Sequence, residues 1–182
     1  EMVRQEMLDR YGVAAYNDGY QVYTTIDTQL QQVARESIIN GLLTYDDRHG
    51  YRGPERKLPA EEGEGGEDLL KTWQEALAQT PVIARLLPAI VTEVGDEQVA
   101  IMFADGSRDS ILWENGIKQA SPYINESRVA PRPGNPAEVL ATGDLIRVAL
   151  NEEEQWQLSQ VPAAQAALVS LRPDDGAIIS IV

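Results

Sequence analysis

Residues 44–54, TYDDRHGYRGP, gather Asp46, Asp47, Arg48, His49 and Arg52 into eleven positions, and His49 is the only histidine of the chain. Three chemistries use these residue types. A histidine base needs an orienting partner and a nucleophile. Asp46 or Asp47 can orient His49, but no serine lies near in sequence. A metal site would take hard oxygen and imidazole donors from Asp46, Asp47 and His49. Three ligands within four loop residues, flanked by Arg48 and Arg52, make a poor cage. The third possibility is architectural: arginine–aspartate pairs fix an elbow, and His49 and the two aspartates cap the helix before it. Gly50 and Gly53 allow unusual backbone angles there, and Pro54 restricts the residue before it. The corner is therefore expected to be structural, with no catalytic, cofactor-binding or metal-ligating residue.

Little else is equipped for catalysis. There is no cysteine, so disulfides and thiolate chemistry are excluded. No serine carries a lysine three residues later, and GEGG (63–66) lacks the lysine and the strand–helix context of a phosphate loop. Carboxylates cluster at 61–68, 96–97 and 152–154, as solvated loop charge rather than a pair set across a cleft. The formal charge of −14 opposes a phosphate backbone, and Arg108, Lys118, Arg128, Arg132 and Arg147 are scattered rather than grouped into a basic groove. Nucleic acid is not an expected partner. Trp113, Tyr123 and Trp156 can line a ligand face, although tryptophans more often sit in or beside a core.

The elements that hold these residues read as follows. EMVRQEMLDRYG (1–12) is a short helix stopped by Gly12, and QVYTT (21–25) is strand-like. A second helix carries Leu30, Val33, Ile38 and Leu42 on one face. Thr28 and Gln31 form its capping box, Asp27 adds negative charge at its start, and it frays by about Tyr45. Residues 55–67 are an acidic glycine-rich loop, and 68–79 a helix ended by Thr80-Pro81. AIVTEV (89–94), QVAIMFA (98–104), SRDSILW (107–113), DLIRVAL (144–150) and QWQLSQV (155–161) are strands, with Asp105-Gly106 as a hairpin turn and 118–143 as a long crossing. The fold class is mainly β with some α: a five-stranded OB-like barrel between a strand-helix linker and a terminal hairpin, with a β-meander or small sandwich as alternatives. That hairpin, AALVSL (166–171) with AIISIV, is apolar on both faces and so suits a sheet covered on both sides. No apolar run approaches the ~20 residues that span a bilayer. A start at Glu1 and a stop within GAIISIV are expected of a piece of a longer protein.

Three stretches in order, 10–42, YDDRHGYRGP (45–54) and AALVSLRPDDGAIISIV (166–182), resemble class A penicillin-binding proteins, bifunctional peptidoglycan synthases, most closely the Gram-negative 1A type. The resemblance implies a middle slice. Residues 1–53 would be a linker helix and the first transpeptidase segment, 54–161 an OB-like insert, and 162–182 the opening hairpin of the transpeptidase. Glycosyltransferase and transpeptidase residues of the family would lie outside this chain, so it would catalyse neither reaction. The parent would sit on the periplasmic face of the bacterial inner membrane, anchored by a helix absent here. Asp46, Asp47, Arg48, His49 and Arg52 would form the junction motif. The resemblance implies as partners an outer-membrane lipoprotein activator and other cell-wall synthesis proteins, with no cofactor. Arg108, Trp113, Tyr123, Arg128 and Trp156 are the expected docking or glycan contacts. A module binding peptidoglycan strands and an inert spacer between catalytic domains are the alternatives.

Overall fold

The computed structural model describes residues 1–60 and 68–182, so most of the acidic loop expected at 55–67 lies outside the described residues. The chain divides into two compact units, residues 1–35 with 167–182, and residues 36–166.

In the first unit, α1 (Met2–Tyr11) ends where Gly12 takes φ of 57° and returns its N–H to the Leu8 carbonyl. A short α2 (Ala14–Asn17) follows. Residues 21–25 form no strand, contrary to expectation. They lack a ladder partner, and only at Thr25 does a hydroxyl reach the Ile178 carbonyl. The helix α3 (Thr28–Arg48) begins in this unit. Its cap is Asp27 rather than the expected Thr28: Asp27 Oδ1 accepts from the N–H groups of Gln29 and Leu30 at 2.9 and 3.0 Å. Gln31 is engaged elsewhere, bonding the N–H and the carbonyl of Ile181. The helix also runs on to Arg48, three residues past the expected fraying point. The terminal hairpin pairs β9 (Val169–Leu171) with β10 (Ile178–Ile181), and Val169, Leu171 and Ile181 stay exposed.

The second unit holds the sheet. A two-residue strand β1 (Arg56–Lys57) precedes α4 (Leu69–Ala78), whose Asp68 carboxylate caps the Leu70 and Lys71 N–H groups. Then come β2 (Leu87–Val94), β3 (Gln98–Met102) and β4 (Arg108–Leu112). The long crossing carries a small hairpin, β5 (Tyr123–Asn125) with β6 (Arg128–Val129), before β7 (Asp144–Leu150) and β8 (Trp156–Ser159). Antiparallel pairing runs β7–β2–β3–β4, and both β1 and β8 pair with β7.

Alternation along the strands explains the two apolar layers. Ala89, Val91, Val99, Ile101, Ile111, Ile146, Val148 and Leu158 gather inside the curved sheet with Ile117 and Leu140. Their neighbours Ile90, Met102 and Leu145 face the other way and are covered by Trp73, Ala76 and Leu77 of α4. Each such buried aliphatic side chain is worth about 1.5–3 kcal/mol. Trp73 keeps its Nε1–H satisfied on the Pro59 carbonyl at 2.9 Å.

The five expected strands are present, but their ladder does not close into a barrel. Among the described residues β4 and β8 share no register. Side chains bridge them instead: Trp156 Nε1–H donates to Asp109 Oδ2 at 2.9 Å. The Ser110 N–H bonds the neighbouring Asp109 carboxylate rather than a strand. The turn Trp113–Ile117 lies against β8, with Asn115 Nδ2 donating to the Trp156 carbonyl at 3.3 Å.

Candidate functional site

The corner after α3 is a closed set of hydrogen bonds. Asp46, 2% exposed, sits in the last turn of α3 and grips Arg52 in fork geometry: Nη1 to Oδ1 and Nη2 to Oδ2, both 2.9 Å. Arg52 Nη2 also donates to the Val161 carbonyl at 2.7 Å, and the Ala163 N–H reaches Asp46 Oδ1 at 3.2 Å. Gln160 completes the set, donating to the Gly50 carbonyl at 2.8 Å and accepting from the Arg52 N–H at 2.9 Å. The stretch where the chain enters the sheet, 50–52, is thus stitched to the stretch where it leaves, 160–163. His49 Nδ1 lies 2.7 Å from the Tyr45 carbonyl, and its ring rests 4.1 Å from that of Tyr45, so it caps the helix end. Arg48 is exposed. Asp47 belongs to no hydrogen bond or ion pair among the described residues, and burial, then the adjacent Asp46, raise its carboxyl above the usual range. No group of three or more metal-ligating side chains forms among the described residues.

The expected contact residues fall on separate surfaces. Arg108 and Trp156 meet at a groove of about 590 Å³ walled by Leu77, Val82, Leu87 and Phe103. Phe103 and Trp156 rings lie 4.8 Å apart and tilted, a favourable arrangement for aromatic pairs. Asp105 is tied down by the Ser107 hydroxyl and N–H at 2.6 and 2.9 Å, which hold its carboxyl below the usual range. Arg108 is exposed and has no ion-pair partner among the described residues. Trp113 is half-buried against the interior core rather than in the groove. Tyr123 and Arg128 lie on the β5–β6 hairpin, whose Tyr123 N–H bonds the Tyr51 carbonyl beside the corner. Tyr123 Oη donates to Glu126 at 3.1 Å, which raises its hydroxyl pKa.

Sequence reasoning missed Arg147. It is 3% exposed in the middle of β7, held by both Glu55 carboxylate oxygens at 2.9 and 3.0 Å. Its Nη1 donates to the Pro81 carbonyl at 2.6 Å and so pins the loop that carries Val82 into the groove. The signal was present: one charge inside the apolar strand DLIRVAL, a type almost never buried unless paired.

A family model described as the penicillin-binding protein OB-like domain matches residues 51–164. The chain belongs to this family. It is 43% identical over 182 residues to penicillin-binding protein 1A of Pseudomonas aeruginosa and, equally, to that of Escherichia coli K12. Each match covers all of this chain and 21% of the relative, so the chain spans about a fifth of the length of those proteins. The crystal structure of penicillin-binding protein 1A from Haemophilus influenzae superposes with a TM-score of 0.77 at 32% identity, over 100% of this chain and 24% of that one. The fold is therefore mainly β with some helix and OB-like, with its ladder unclosed.

Proposed function

We propose that this chain is a non-catalytic docking region of a bifunctional peptidoglycan synthase, and that the Arg108–Trp156 groove receives an outer-membrane lipoprotein activator. In this reading residues 1–53 are a linker helix and the first segment of the transpeptidase module, 162–182 are the opening hairpin of that module, and 54–161 is the docking insert. The whole works at the periplasmic face of the inner membrane. The observation that carries it is the groove itself: an apolar floor with a half-buried tryptophan and an arginine that has no ion-pair partner among the described residues at its rim. Tryptophan and arginine are the residue types that concentrate binding energy in protein interfaces. Asp105 and Asp109 are already engaged, so Arg108 is left to meet a partner carboxylate while an apolar side chain fills the groove. The −14 charge favours fast encounter with a partner of opposite overall charge. The relatives support the setting, since the proteins matched end to end along this chain are named penicillin-binding protein 1A.

Titration of the purified activator of a Gram-negative relative against this chain tests the proposal. Trp156→Ala or Arg108→Glu should each weaken binding by about tenfold or more, with Arg128→Glu on the β5–β6 hairpin leaving it unchanged. Binding that ignores both groove variants, or no binding, overturns the reading. A fluorescent penicillin should leave the chain unlabelled; covalent labelling would overturn its non-catalytic part.

A further inference from the structure

On the other side of the corner, Asp47, Gly50 and Tyr51 face the turn 114–120 and β8 across a cleft of about 480 Å³. That size lies within the usual range of small-molecule sites. Its lining is distinctive for its amides. Asn115, Gln119, Asn151, Gln157 and Gln160 all contribute, with Ser159, and no lysine or arginine does among the described residues. Much of this hydrogen-bonding capacity is unused. Gln119, Gln157 and Asp47 make no side-chain hydrogen bond or ion pair among the described residues, whereas Gln160 uses both its oxygen and its nitrogen at the corner. Asn151 uses only its Oδ1, for the Glu153 and Gln155 N–H groups, and Asn115 uses only its Nδ2.

We infer that this cleft is a binding site for an uncharged oligosaccharide. A carboxamide offers two donors and an acceptor, and a carboxylate accepts only. Together they complement sugar hydroxyls, each both donor and acceptor. Anions are disfavoured, because among the described residues Asp47 has no ion-pair partner and no lysine or arginine lines the walls. A polycation finds little: Glu114 is already held by Lys118 Nζ at 2.8 and 3.0 Å. An extended peptide would add to a strand edge, but the β8 edge is covered. Gly116 lies so close that a Cβ there would stand 2.7 Å from the Leu158 carbonyl oxygen. The inference is independent of the docking proposal, since none of the cleft residues lines the Arg108–Trp156 groove.

The test is a titration of the isotope-labelled chain, followed by NMR, with four probes: chitotetraose, maltotetraose, tri-alanine and tri-lysine. Saturable shifts of the Gln119 and Gln157 side-chain amides with at least one tetrasaccharide, with a Kd in the millimolar range or tighter, are expected. Gln119→Ala with Gln157→Ala should weaken that binding about fivefold or more while backbone peaks away from the cleft stay in place. Trp156→Ala should leave it unchanged. If the double variant fails to fold, Asp47→Asn with the same readout serves, again with weakened sugar binding expected. Three results overturn the inference. They are no saturable shift up to about 10 mM sugar, tighter binding of either peptide than of both sugars, and sugar shifts confined to the groove.

Discussion

The corner and the cleft share a border and the same kinds of side chain, and they use them in opposite ways. Asp46 and Asp47 are neighbours in sequence. One is buried and holds Arg52 and the Ala163 N–H; the other faces the cleft with no hydrogen bond or ion pair among the described residues. Gln160 makes two hydrogen bonds within the corner, while the Gln157 side chain, three residues earlier, makes none among the described residues. Residue type alone does not separate architecture from recognition; what separates them is whether the surrounding backbone already satisfies the group. The helical turn explains the split, because successive positions on α3 point about 100° apart.

The largest effect that could break this comparison is loss of the corner. Asp46→Ala removes the carboxylate that holds Arg52 and the Ala163 N–H, and leaves Arg52 only the Val161 carbonyl. Removing one partner of a fully buried pair costs about 3–5 kcal/mol. Arg52 keeps 30% of its side chain exposed, so solvent screens part of the loss. A fall of about 2–3 kcal/mol in unfolding free energy is expected from urea denaturation. Arg52→Lys should fall between variant and parent, because a lysine keeps the charge but not the fork. If Asp46→Ala unfolds at the same urea concentration as the parent, the corner is not the fastening described here.

Second in size is the wall shared by the cleft and the core. Gly116 has φ of 90°, a region that favours glycine, and an added Cβ would stand 2.7 Å from the Leu158 oxygen and 3.1 Å from its nitrogen. Gly116→Ala should destabilise by about 1–3 kcal/mol. It should also widen the space between the turn and β8, so tetrasaccharide binding should weaken along with stability. A loss of stability without any change in sugar binding would show that the turn is structural and the cleft does not depend on it.

Much of this frame was legible from the chain alone. The strands at 98–104 and 107–113 announce themselves because they flank the Asp105-Gly106 turn, with Val99, Ile101 and Phe103 alternating onto one face, and those at 89–94 and 144–150 because they are short apolar runs. The corner was recognisable as a polar elbow from its composition. Its partners were not, because Val161 and Ala163 contribute backbone groups that carry no sequence signature and lie more than a hundred residues away. The cap of α3 was misplaced by one residue for a related reason. Thr28 and Gln31 fit a capping box locally, but Gln31 is claimed by Ile181 and the better acceptor, Asp27, stands one position earlier. Barrel closure failed at the one place where side chains, Trp156 and Asp109, do the work of a ladder. The cleft was illegible because its amides come from three separate stretches, 115–119, 151 and 157–160, and amides in loops read as ordinary solvated surface.

The smallest expected effect is the sharpest test of the contrast between the two aspartates. Burial raises the Asp47 carboxyl pKa, and the adjacent Asp46 adds to it, against an ordinary value of 3.8. The folded chain therefore holds the Asp47 proton more tightly than the unfolded chain. As pH falls from neutral through the raised folded pKa, this group adds stability, and the gain is complete once pH drops below the unfolded value. At neutral pH the ionised carboxylate costs a little. Asp47→Asn removes that cost and that pH dependence together. Asp47 remains exposed to solvent and its carboxyl is only partly desolvated at the cleft wall, so the variant should match the parent or exceed it by no more than about 0.5 kcal/mol at about pH 7. The difference should vanish or reverse at about pH 4, read as urea midpoints of both chains at both pH values. The same substitution should weaken sugar binding at neutral pH, because it turns an acceptor-only carboxylate into an amide that must orient one way. A residue that loses ligand without losing stability is the opposite of Asp46. Should Asp47→Asn instead unfold the chain as Asp46→Ala does, the two aspartates would serve one fastening, and the border between corner and cleft would not exist.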